Sequence, residues 1–518
     1  MRLFPGGVLT VATAAGLHAL SMAMPGSGQA HGWLQLLALA WLAARLIHET
    51  RQAPTRRQAW VRAGALGWLF ATFWLGAAFW WLYVSMHRFG GMPAPLAALA
   101  VLLLAAALAT YYAAATALWA GLSWRALDGP RATSASASAG LFAACWTLAE
   151  LMRGRWFTGF PWAASGYAHV DGWLVAWAPW IGVYGMGAMA AALAMLLARR
   201  VNRLHAMWPL CGLLLLTGTL HLWSPSWTHT TGHQSVELLQ ANIAQDDKFD
   251  PARGVREALS WYDERLRASQ QTLVVAPETA IPVVPQQLAA DYWQTLSGHF
   301  AGQSRSLALV GLPWRDEAYR YSNAVLALGP ASQTGYRYDK HHLVPFGEFI
   351  PAGFAWFVRQ MQIPLGDFRS GAADQPSLVW AGQRLAPNIC YEDVFGEELG
   401  RRFVQPELSP TVFINVSNIA WFGDTVAVPQ HLNIARMRAL EFERPMLRAT
   451  NTGATAIIDH HGRVKDQLPA FARGTLIGQY EGRQGLTPYA RWVATWGLGP
   501  LWVLSALVLL VALVRRRF

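Results

Sequence analysis

The stretch TLVVAPETA (residues 272–280) is an apolar, β-rich run that ends at Pro277 and Glu278. Runs of the same kind recur before and after it, separated by polar segments; they cover residues 236–240, 307–311, 323–328, 385–389 and 411–416. Residues 253–269 and 430–443 have instead the charge and the spacing of helices. Nearly continuous apolar strands that alternate with helices are typical of a sheet covered on both faces. The sequence therefore predicts an α/β fold for this region.

The composition changes sharply outside this region. The 518-residue chain is 53% hydrophobic and only 14% charged, whereas soluble domains carry roughly 25% charged residues. The deficit falls in residues 1–224 and near the C-terminus. We therefore predict three parts: a membrane domain with seven transmembrane helices over 1–227, an extramembrane domain over 228–490, and a C-terminal transmembrane helix with an Arg-rich end over 491–518.

The apolar stretches are long enough to cross a membrane, which takes about 20 mostly apolar residues. The candidates are residues 7–24, 31–48, 64–86, 94–122, 136–152, 172–198, 206–224 and 493–514. Only Arg2 provides positive charge ahead of the first stretch, so we interpret that stretch as a retained anchor and not as a cleaved signal peptide. The sequence thus predicts a polytopic α-helical bundle of about eight spans.

The arginines beside these stretches predict the orientation, because short cytoplasmic loops carry an excess of Lys and Arg. Positive charge gathers in every second connection and at the C-terminus: Arg51, Arg56, Arg57, Arg62, Arg125, Arg131, Arg199, Arg200, Arg203, Arg515, Arg516 and Arg517. We therefore expect cytoplasmic termini, and residues 228–490 in the periplasm of a Gram-negative cell. The chain would be a multi-pass protein of the bacterial inner membrane. Much of the net charge of +11 then reflects topology and does not indicate nucleic-acid binding.

Three residues of the α/β region stand where reactive groups usually lie, just past the ends of strands. Glu278 follows the run 272–276 and Cys390 follows the run 385–389. Lys340 lies in the Pro- and Gly-rich segment YDKHHLVPFGEFIP (residues 338–351), which is typical of a fixed irregular loop. Cys390 has no second cysteine in its domain, so a disulfide is not indicated.

These residue types suit nucleophilic catalysis. A thiol needs a base or a nearby cation for its activation. A carboxylate such as Glu278 can take the thiol proton and later return it. An ammonium such as Lys340 can stabilise a developing oxyanion. Taken singly, each residue is more often a turn, surface or core residue, so the residue types alone leave the trio a hypothesis.

A family resemblance gives the hypothesis its specific form. Pro277-Glu278, Lys340 within KxxLVPFGE, and Ile389-Cys390-Tyr391-Glu392 resemble the Glu–Lys–Cys signature of the nitrilase (carbon–nitrogen hydrolase) superfamily. Further motifs resemble one membrane-bound branch, the apolipoprotein N-acyltransferases; they are TGFPW (158–162), QANI (240–243), VSN (416–418), AWFG (420–423), QHL (430–432), ARMRALE (435–441) and RATNTG (448–453).

The resemblance implies a fold and a reaction. The fold would be an α-β-β-α sandwich seated on a membrane bundle. The reaction would move an acyl chain from a phospholipid, typically phosphatidylethanolamine, to the N-terminal diacylglyceryl-cysteine amine of an apolipoprotein. Cys390 would carry the chain as a thioester, Glu278 would be base and then acid, and Lys340 would stabilise the tetrahedral intermediates. No metal or organic cofactor and no nucleic-acid partner is implied, and the oligomeric state stays open.

Other residues receive roles through the same resemblance. Glu348, Glu392 and Tyr391 would support the trio by orienting Lys340 and Cys390. Candidate substrate-binding residues are Trp421, Phe422, Arg153 and Trp162. The segment 153–171 can be read as an interfacial aromatic belt or as a lipid portal. Residues 354–364 can be read as a lid arm or as a core helix. The chain departs from the family pattern at Ile419, where Asp is common, and at Phe249 and Phe349, where Trp and Tyr are common.

Other functions explain less of the sequence. A membrane-anchored amidase or nitrilase would use the same trio but would leave most of the spans unexplained. A transporter with a regulatory nitrilase-like domain would carry intramembrane charges or repeats, and only Glu150 and Arg153 stand near a span. An inactive binding domain would be expected to have lost part of the trio. The sequence therefore favours an acyltransferase.

Overall fold

The computed structural model describes residues 5–127, 134–199, 207–223, 225–330, 335–351, 353 and 368–515. The chain divides into two compact units. The first comprises Met1–Tyr83, Ala94–Ser226 and Leu498–Phe518, and the second comprises Val84–Pro93 and Trp227–Gly497. The short segment Val84–Pro93 thus packs with the second unit, although helices of the first unit precede and follow it.

Helices make up the first unit. The helices longer than five residues that precede residue 224 are α1 (Pro5–Leu20), α2 (Gly32–Arg51), α3 (Arg56–Phe79), α4 (Ala94–Ser123), α5 (Ala135–Arg155), α6 (Ala178–Arg199) and α7 (Met207–Trp223). Side-chain caps fix two of their starts. The Thr55 hydroxyl accepts a hydrogen bond from the Gln58 N–H ahead of α3, and the Ser134 hydroxyl accepts one from the Ala137 N–H ahead of α5.

Small residues let α3 and α4 approach closely. A Cβ built at Gly67 would stand 2.2 Å from the Thr116 hydroxyl oxygen, so a larger residue at that position would push the two helices apart. Large leucines of α4 are exposed on its other face, including Leu99, Leu102 and Leu103. Small residues between helices and exposed leucines outside are the pattern of a bundle that packs in lipid.

The second unit contains two sheets. Its strands are β1 (Thr228–Gln240), β2 (Leu273–Val275), β3 (Leu307–Arg315), β4 (Tyr321–Leu328), β5 (Arg337–Asp339), β6 (Leu378–Trp380), β7 (Gln383–Ile389), β8 (Val412–Ser417), β9 (Met446–Thr450), β10 (Ala456–Ile458), β11 (Val464–Gln467) and β12 (Gly474–Gly485). The order is β12-β1-β2-β3-β4-β5 in one sheet and β11-β10-β9-β8-β7-β6 in the other. Each sheet contains a parallel centre, β1-β2-β3 and β7-β8-β9.

Alternating side chains build the layers of this unit. Leu238 and Val275 of the first sheet pack against Ile389, Ile414 and other residues of the second sheet in one shared core. Their neighbours point outward, where α8 (Gly254–Ala268) and α9 (Ala290–Ala301) cover the first sheet. Helices α10 (Ala427–Phe442) and α11 (Pro488–Trp496) cover the second sheet. The arrangement is an α-β-β-α sandwich, which confirms the predicted nitrilase-type α/β fold.

The apolar helices indicate a membrane protein, but the predicted count of eight spans is not shown. Among the described residues, the helices long and apolar enough to cross a bilayer are Arg56–Phe79, Ala94–Ser123, Ala135–Thr158 and Trp173–Arg199. A fifth results if α11 and the terminal helix α12 (Gly499–Val514) count as one bent span. The apolar helices Gly7–Leu20 and Trp208–Trp223 are shorter. Helix α2 has the length but ends in charged residues, Glu49 and Arg51.

Candidate active site

Glu278 is placed by a close approach of two strands. It follows β2, and the neighbouring strand β3 carries Gly311 opposite the turn. A Cβ built at Gly311 would stand 2.3 Å from the Pro277 carbonyl oxygen and 2.8 Å from the Glu278 Cα. Only glycine therefore lets β3 run beside this turn. Glu278 is buried, with 8% of the residue exposed.

Cys390 sits on a sharp turn at the end of β7. Its φ angle is +53°, in the left-handed region that costs a residue with a Cβ roughly 1–2 kcal/mol. The Asn415 side-chain amide donates to the Cys390 carbonyl oxygen at 3.0 Å and helps to hold this conformation. The residue is only partly buried. The turn thus presents the thiol at the edge of the sheet.

Lys340 is anchored through its backbone at the end of β5. Its N–H donates to the Asn323 carbonyl oxygen, and its own carbonyl accepts from the Gly371 N–H, both at 2.8 Å. The side chain is 1% exposed. Its Nζ lies 2.9 Å from Glu348 Oε1 and 3.4 Å from Glu278 Oε1. One ammonium therefore lies between two carboxylates.

Amide and backbone donors fix those carboxylates. The Asn323 side chain donates to Glu278 Oε1 at 2.7 Å and to Glu348 Oε1 at 2.9 Å. The Asn418 N–H donates to Glu278 Oε2 at 2.8 Å, and the Val344 N–H donates to Glu348 Oε2 at 2.8 Å. Glu278 is thus held in one orientation, as a general base requires.

The electrostatics leave the resting thiol protonated. Burial and the Glu278 carboxylate raise the pKa of Cys390 to about 12, although Lys340 and a hydrogen bond with Ser417 lower it in part. Burial lowers the pKa of Lys340, but Glu348 and Glu278 raise it by more, so the side chain is a permanent ammonium. Lys340 and Glu278 are in direct contact, and Cys390 lies close enough to both for each to shift its pKa. A thiol with so high a pKa would need a base in order to act as a nucleophile, and Glu278 is the carboxylate that raises this pKa most.

Glu392 joins the Lys340 loop to the strand that ends at Cys390. Its Oε1 accepts from the N–H groups of His341 and His342 at 2.6 and 3.2 Å. Its Oε2 accepts from the Ile389 N–H at 2.6 Å. The Tyr338 hydroxyl lies 2.9 Å from both oxygens. One carboxylate thereby fixes the distance between the two chain segments that carry Lys340 and Cys390.

A second buried group supports the turn after Cys390. The Asp393 carboxylate contacts His431 Nε2 at 2.8 Å and forms an ion pair with Arg448 Nη1 at 3.1 Å. Burial lowers the pKa of both His431 and Arg448, and Asp393 partly offsets this. His431 and Arg448 lie in the motifs QHL (430–432) and RATNTG (448–453), but no role was predicted for either residue. No role was predicted for Asn323 either, whose only sequence signal is an amide within an apolar strand.

The aromatic candidates of this unit differ in exposure. Tyr391 is buried and packs edge-on against Phe395, with ring centroids 5.1 Å apart. Trp421 is 37% exposed, and its ring is nearly perpendicular to that of Phe89 in the segment Val84–Pro93, with ring centroids 5.8 Å apart. Phe422 beside it is partly buried. Trp421 thus leaves part of its ring accessible at the surface of the second unit.

Arg153 and Trp162 belong to the first unit. Arg153 is 1% exposed, and its Nη1 donates to the carbonyl oxygens of Phe160 and Trp162 at 2.5 and 2.7 Å. Its Nε donates to the Tyr112 hydroxyl at 3.0 Å. Trp162 is buried against Trp81. These contacts position the TGFPW loop, so any role in substrate binding would be exerted through that loop.

Ile419 replaces the carboxylate common in the resembling family. It is buried and lies against Gly453, where an added Cβ would stand 2.6 Å from the Ile419 Cγ2. Phe249 is exposed and Phe349 is partly buried. The proposed lid arm, residues 354–364, lies outside the described residues. No group of three or more potential metal ligands occurs in the described part of the chain.

Comparison with known proteins assigns both halves of the chain. The apolipoprotein N-acyltransferase N-terminal domain matches residues 14–196, and the carbon–nitrogen hydrolase domain matches residues 235–486. The apolipoprotein N-acyltransferase of Verminephrobacter eiseniae is 54% identical over 94% of this chain and 92% of its own length. The corresponding values are 47%, 94% and 90% for the Ralstonia nicotianae enzyme, and 42%, 98% and 96% for that of Bordetella bronchiseptica. The chain is therefore an acyltransferase that belongs to the apolipoprotein N-acyltransferase family.

Proposed function

We propose that this protein transfers an acyl chain from a membrane phospholipid, with phosphatidylethanolamine the expected donor, to the N-terminal diacylglyceryl-cysteine amine of apolipoproteins. The observation that carries the proposal is the buried group of Glu278, Lys340 and Glu348 beside the Cys390 thiol. The names of the relatives indicate lipoprotein N-acylation. The apolar helices of the first unit provide an environment in which acyl tails are stable.

The first half-reaction makes a thioester. The Cys390 sulfur attacks the ester carbonyl carbon of the phospholipid while Glu278 takes the thiol proton. The resulting oxyanion is stabilised by the Lys340 ammonium and by backbone N–H groups after Cys390. When the intermediate collapses, the C–O bond breaks and Glu278 returns the proton to the departing lysophospholipid alkoxide.

The second half-reaction forms the amide. The acceptor amine attacks the thioester carbonyl, and Glu278 takes a proton from the nitrogen. The C–S bond then breaks and the proton passes to the Cys390 sulfur, which restores the resting thiol. Glu348 keeps Lys340 charged and in place through both half-reactions. Glu392 accepts from the N–H groups of His341 and Ile389, and so keeps the segments that carry Lys340 and Cys390 at a fixed distance. Tyr391 belongs to the turn that starts at Cys390 and packs against Phe395. Trp421 and Phe422 would line the path of the apolar chain.

The covalent intermediate gives a direct test. Purified protein given phosphatidylethanolamine vesicles without acceptor should gain the mass of one acyl chain, and neutral hydroxylamine should remove it. Cys390→Ala should gain none. Adding a diacylated lipopeptide should discharge the adduct and yield a triacylated peptide. If transfer proceeds with no adduct at any time, direct attack of the amine on the phospholipid replaces this mechanism.

Topology is part of the same proposal. We place 1–227 and 491–518 in the inner membrane with eight spans, and 228–490 in the periplasm, because arginines gather in the opposite set of connections. Short helices such as α1 and α7 would then span by using flanking interfacial residues. An alkaline phosphatase fused after residue 300 should be active, and one fused near residue 55 should be inactive. The reverse pattern would contradict the periplasmic location of residues 228–490 and, with it, the proposed substrates.

A further inference from the structure

The chain uses lysine very sparingly. Of its 41 basic Lys and Arg residues only three are lysines: Lys248, Lys340 and Lys465. Lys465 is exposed, whereas Lys248 and Lys340 are both 1% exposed and both contact Glu278. Lysine differs from arginine in being compact and in losing its charge readily on burial. Lys340 has a role in the proposed reaction, whereas Lys248 has none in anything described so far.

The structure fixes Lys248 beside the base. It lies between β1 and α8, and its Nζ donates to the Glu278 carbonyl oxygen at 3.2 Å. The start of α8 approaches so closely that a Cβ built at Gly254 would stand 2.8 Å from the Lys248 Cα. Across the site, the Asn418 side chain donates to Gln245 Oε1 at 2.9 Å, while the Asn418 N–H holds Glu278 Oε2. Asn418 therefore donates both to the Glu278 carboxylate and to Gln245, which lies with Lys248 in the connection 241–253 between β1 and α8.

The buried charges around Lys340 suggest a role for Lys248, because the carboxylates outnumber the ammonium group that they contact. Glu278 and Glu348 are two buried carboxylates that share one ammonium, Lys340. A second cation offsets the remaining negative charge, which would otherwise oppose removal of the thiol proton from Cys390. The acidic residues near Lys248 in sequence have other partners. Asp246 pairs with Arg88 at 3.3 Å, Asp247 pairs with Arg253 at 3.8 Å, and Asp250 accepts from the Ala252 N–H. Lys248 donates to the Glu278 carbonyl oxygen, and Glu278 and Cys390 both favour its charged form.

We propose that Lys248 is a positioning residue of the acid–base site, whose ammonium holds the Glu278 backbone and supplies a second positive charge to the Glu278–Cys390 pair. The inference rests on the proposed function in taking these two residues as the reacting pair. Burial lowers the pKa of Lys248 to about 7, while Glu278 and Cys390 raise it in part. The ammonium is therefore present below pH 7 and is lost as the pH rises through that value, which weakens the help that Lys248 gives to thiol ionisation.

Alkylation of Cys390 tests this without any acyl substrate. The rate of Cys390 modification by iodoacetamide is followed by peptide mass analysis from pH 6 to pH 10 in the full-length protein. Lys248→Met removes the charge and the donor, Lys248→Gln keeps a donor without charge, and Lys248→Arg keeps both. Lys465→Met is the matched control, because it removes the same charge from an exposed site of the same unit. Circular dichroism and thermal melting verify the fold of each variant.

The expected order of the Cys390 alkylation rates separates an effect of the Lys248 charge from an effect of its hydrogen bond alone. Below pH 7 Lys248→Met and Lys248→Gln should both react roughly tenfold more slowly than wild type, which corresponds to about one unit in the thiol pKa. The deficit should shrink above that pH, where the wild-type amine is itself neutral. Lys248→Arg and Lys465→Met should stay close to wild type below pH 7, and Lys248→Arg should exceed it above.

Two results would overturn the proposal. One is recovery by Lys248→Gln, which would make the lysine a hydrogen-bond donor only. The other is an unchanged pH profile in Lys248→Met. If Lys248→Met does not fold, equal profiles for Lys248→Gln and Lys248→Arg count against it in the same way. The alkylation rate depends on no acyl donor or acceptor, so failure of the proposed transfer reaction would be seen separately, in the acyl-adduct experiment.

Discussion

Each unit of the molecule buries a carboxylate and a cation, and the two groups are satisfied in different ways. In the first unit Arg153 donates to main-chain carbonyls and to Tyr112, and Glu150 Oε1 accepts from the N–H and hydroxyl of Ser165. In the second unit Lys340 contacts the side chains of Glu278 and Glu348. The first arrangement uses charge to hold a loop. The second brings charges together around a thiol.

The contrast separates structural from reactive buried charge. A charge whose partners are backbone groups fixes the conformation of the chain, and losing it costs stability. Charges whose partners are other titratable side chains can exchange a proton and stabilise new charge, and losing one of them costs activity. Substitutions of the two kinds of buried charge should therefore differ in whether the melting temperature or the turnover falls more.

The largest effect is expected at the trio. Cys390→Ala, Glu278→Gln and Lys340→Met should each reduce acyl transfer by at least about a thousandfold, because residues that act as one unit fail together. Turnover is measured with phospholipid vesicles and a diacylated lipopeptide. The matched control is Cys145→Ala, which removes a buried thiol from α5 of the first unit and should leave turnover near normal. Normal turnover in Cys390→Ala would end the covalent mechanism.

Glu392 tests an intermediate case, a carboxylate inside the site whose partners are mostly backbone N–H groups. Glu392→Gln keeps the size but turns an acceptor into a donor that faces the N–H groups of Ile389 or His341. Leaving such donors unpaired costs about 1–3 kcal/mol each. Both melting temperature and turnover should fall, the latter by roughly a hundredfold as Lys340 and Cys390 separate. Loss of activity with an unchanged melting temperature would make Glu392 a direct participant in the chemistry.

Particular residues show what a sequence can reveal about such a site. Glu278 and Cys390 became candidates because each directly follows an apolar run that predicts a strand, and the family resemblance then gave them roles; that their strands lie in two different sheets could not be read from the sequence. Every predicted run overlaps a strand, as with β2 at Leu273–Val275 inside the run 272–276. However, β1 begins at Thr228, well before its predicted run 236–240, and β5, β6 and β9 to β12 were not predicted. Asn323 was missed, since an amide that serves two carboxylates is recognisable only when distant segments are brought together. Lys248 was missed for a related reason, because beside Asp246 and Asp247 it has the sequence pattern of a solvated loop.

The membrane part shows the limits of composition in another way. Hydropathy predicted eight stretches, while helix length and composition among the described residues support four, or five with the bent pair. Apolar composition marks where a helix can lie in lipid but does not fix where it begins and ends. Those ends depend on caps and on packing, such as the Thr55 cap of α3 and the small-residue contact between α3 and α4.

Arg153 should behave in the opposite way to the trio. Arg153→Met removes the donors to Phe160 and Trp162 and leaves Glu150 without its neighbouring cation. Losing one partner of a buried charged group costs about 3–5 kcal/mol. The melting temperature should fall markedly, while turnover per folded molecule stays within about threefold, since the effect is carried by stability. A large loss of turnover at an unchanged melting temperature would place Arg153 among the substrate-binding residues and break the distinction between the two units.

The smallest effect is expected from Tyr338→Phe, which removes one hydroxyl from the Glu392 group and no charge. The Tyr338 hydroxyl lies 2.9 Å from both Glu392 oxygens, but each oxygen also has a backbone N–H donor. The net contribution of one such hydrogen bond is about 1 kcal/mol, rising toward 2–3 for a charged acceptor. Turnover should therefore fall only severalfold. Tyr480→Phe is the matched control, because Tyr480 is buried in the same core between the sheets and its hydroxyl has no partner in the described structure. If Tyr338→Phe is as damaging as Glu392→Gln, the hydroxyl and not the backbone holds the carboxylate. Glu392 would then depend on a side-chain donor for its orientation, and would differ in this from Arg153, which donates mainly to main-chain carbonyls.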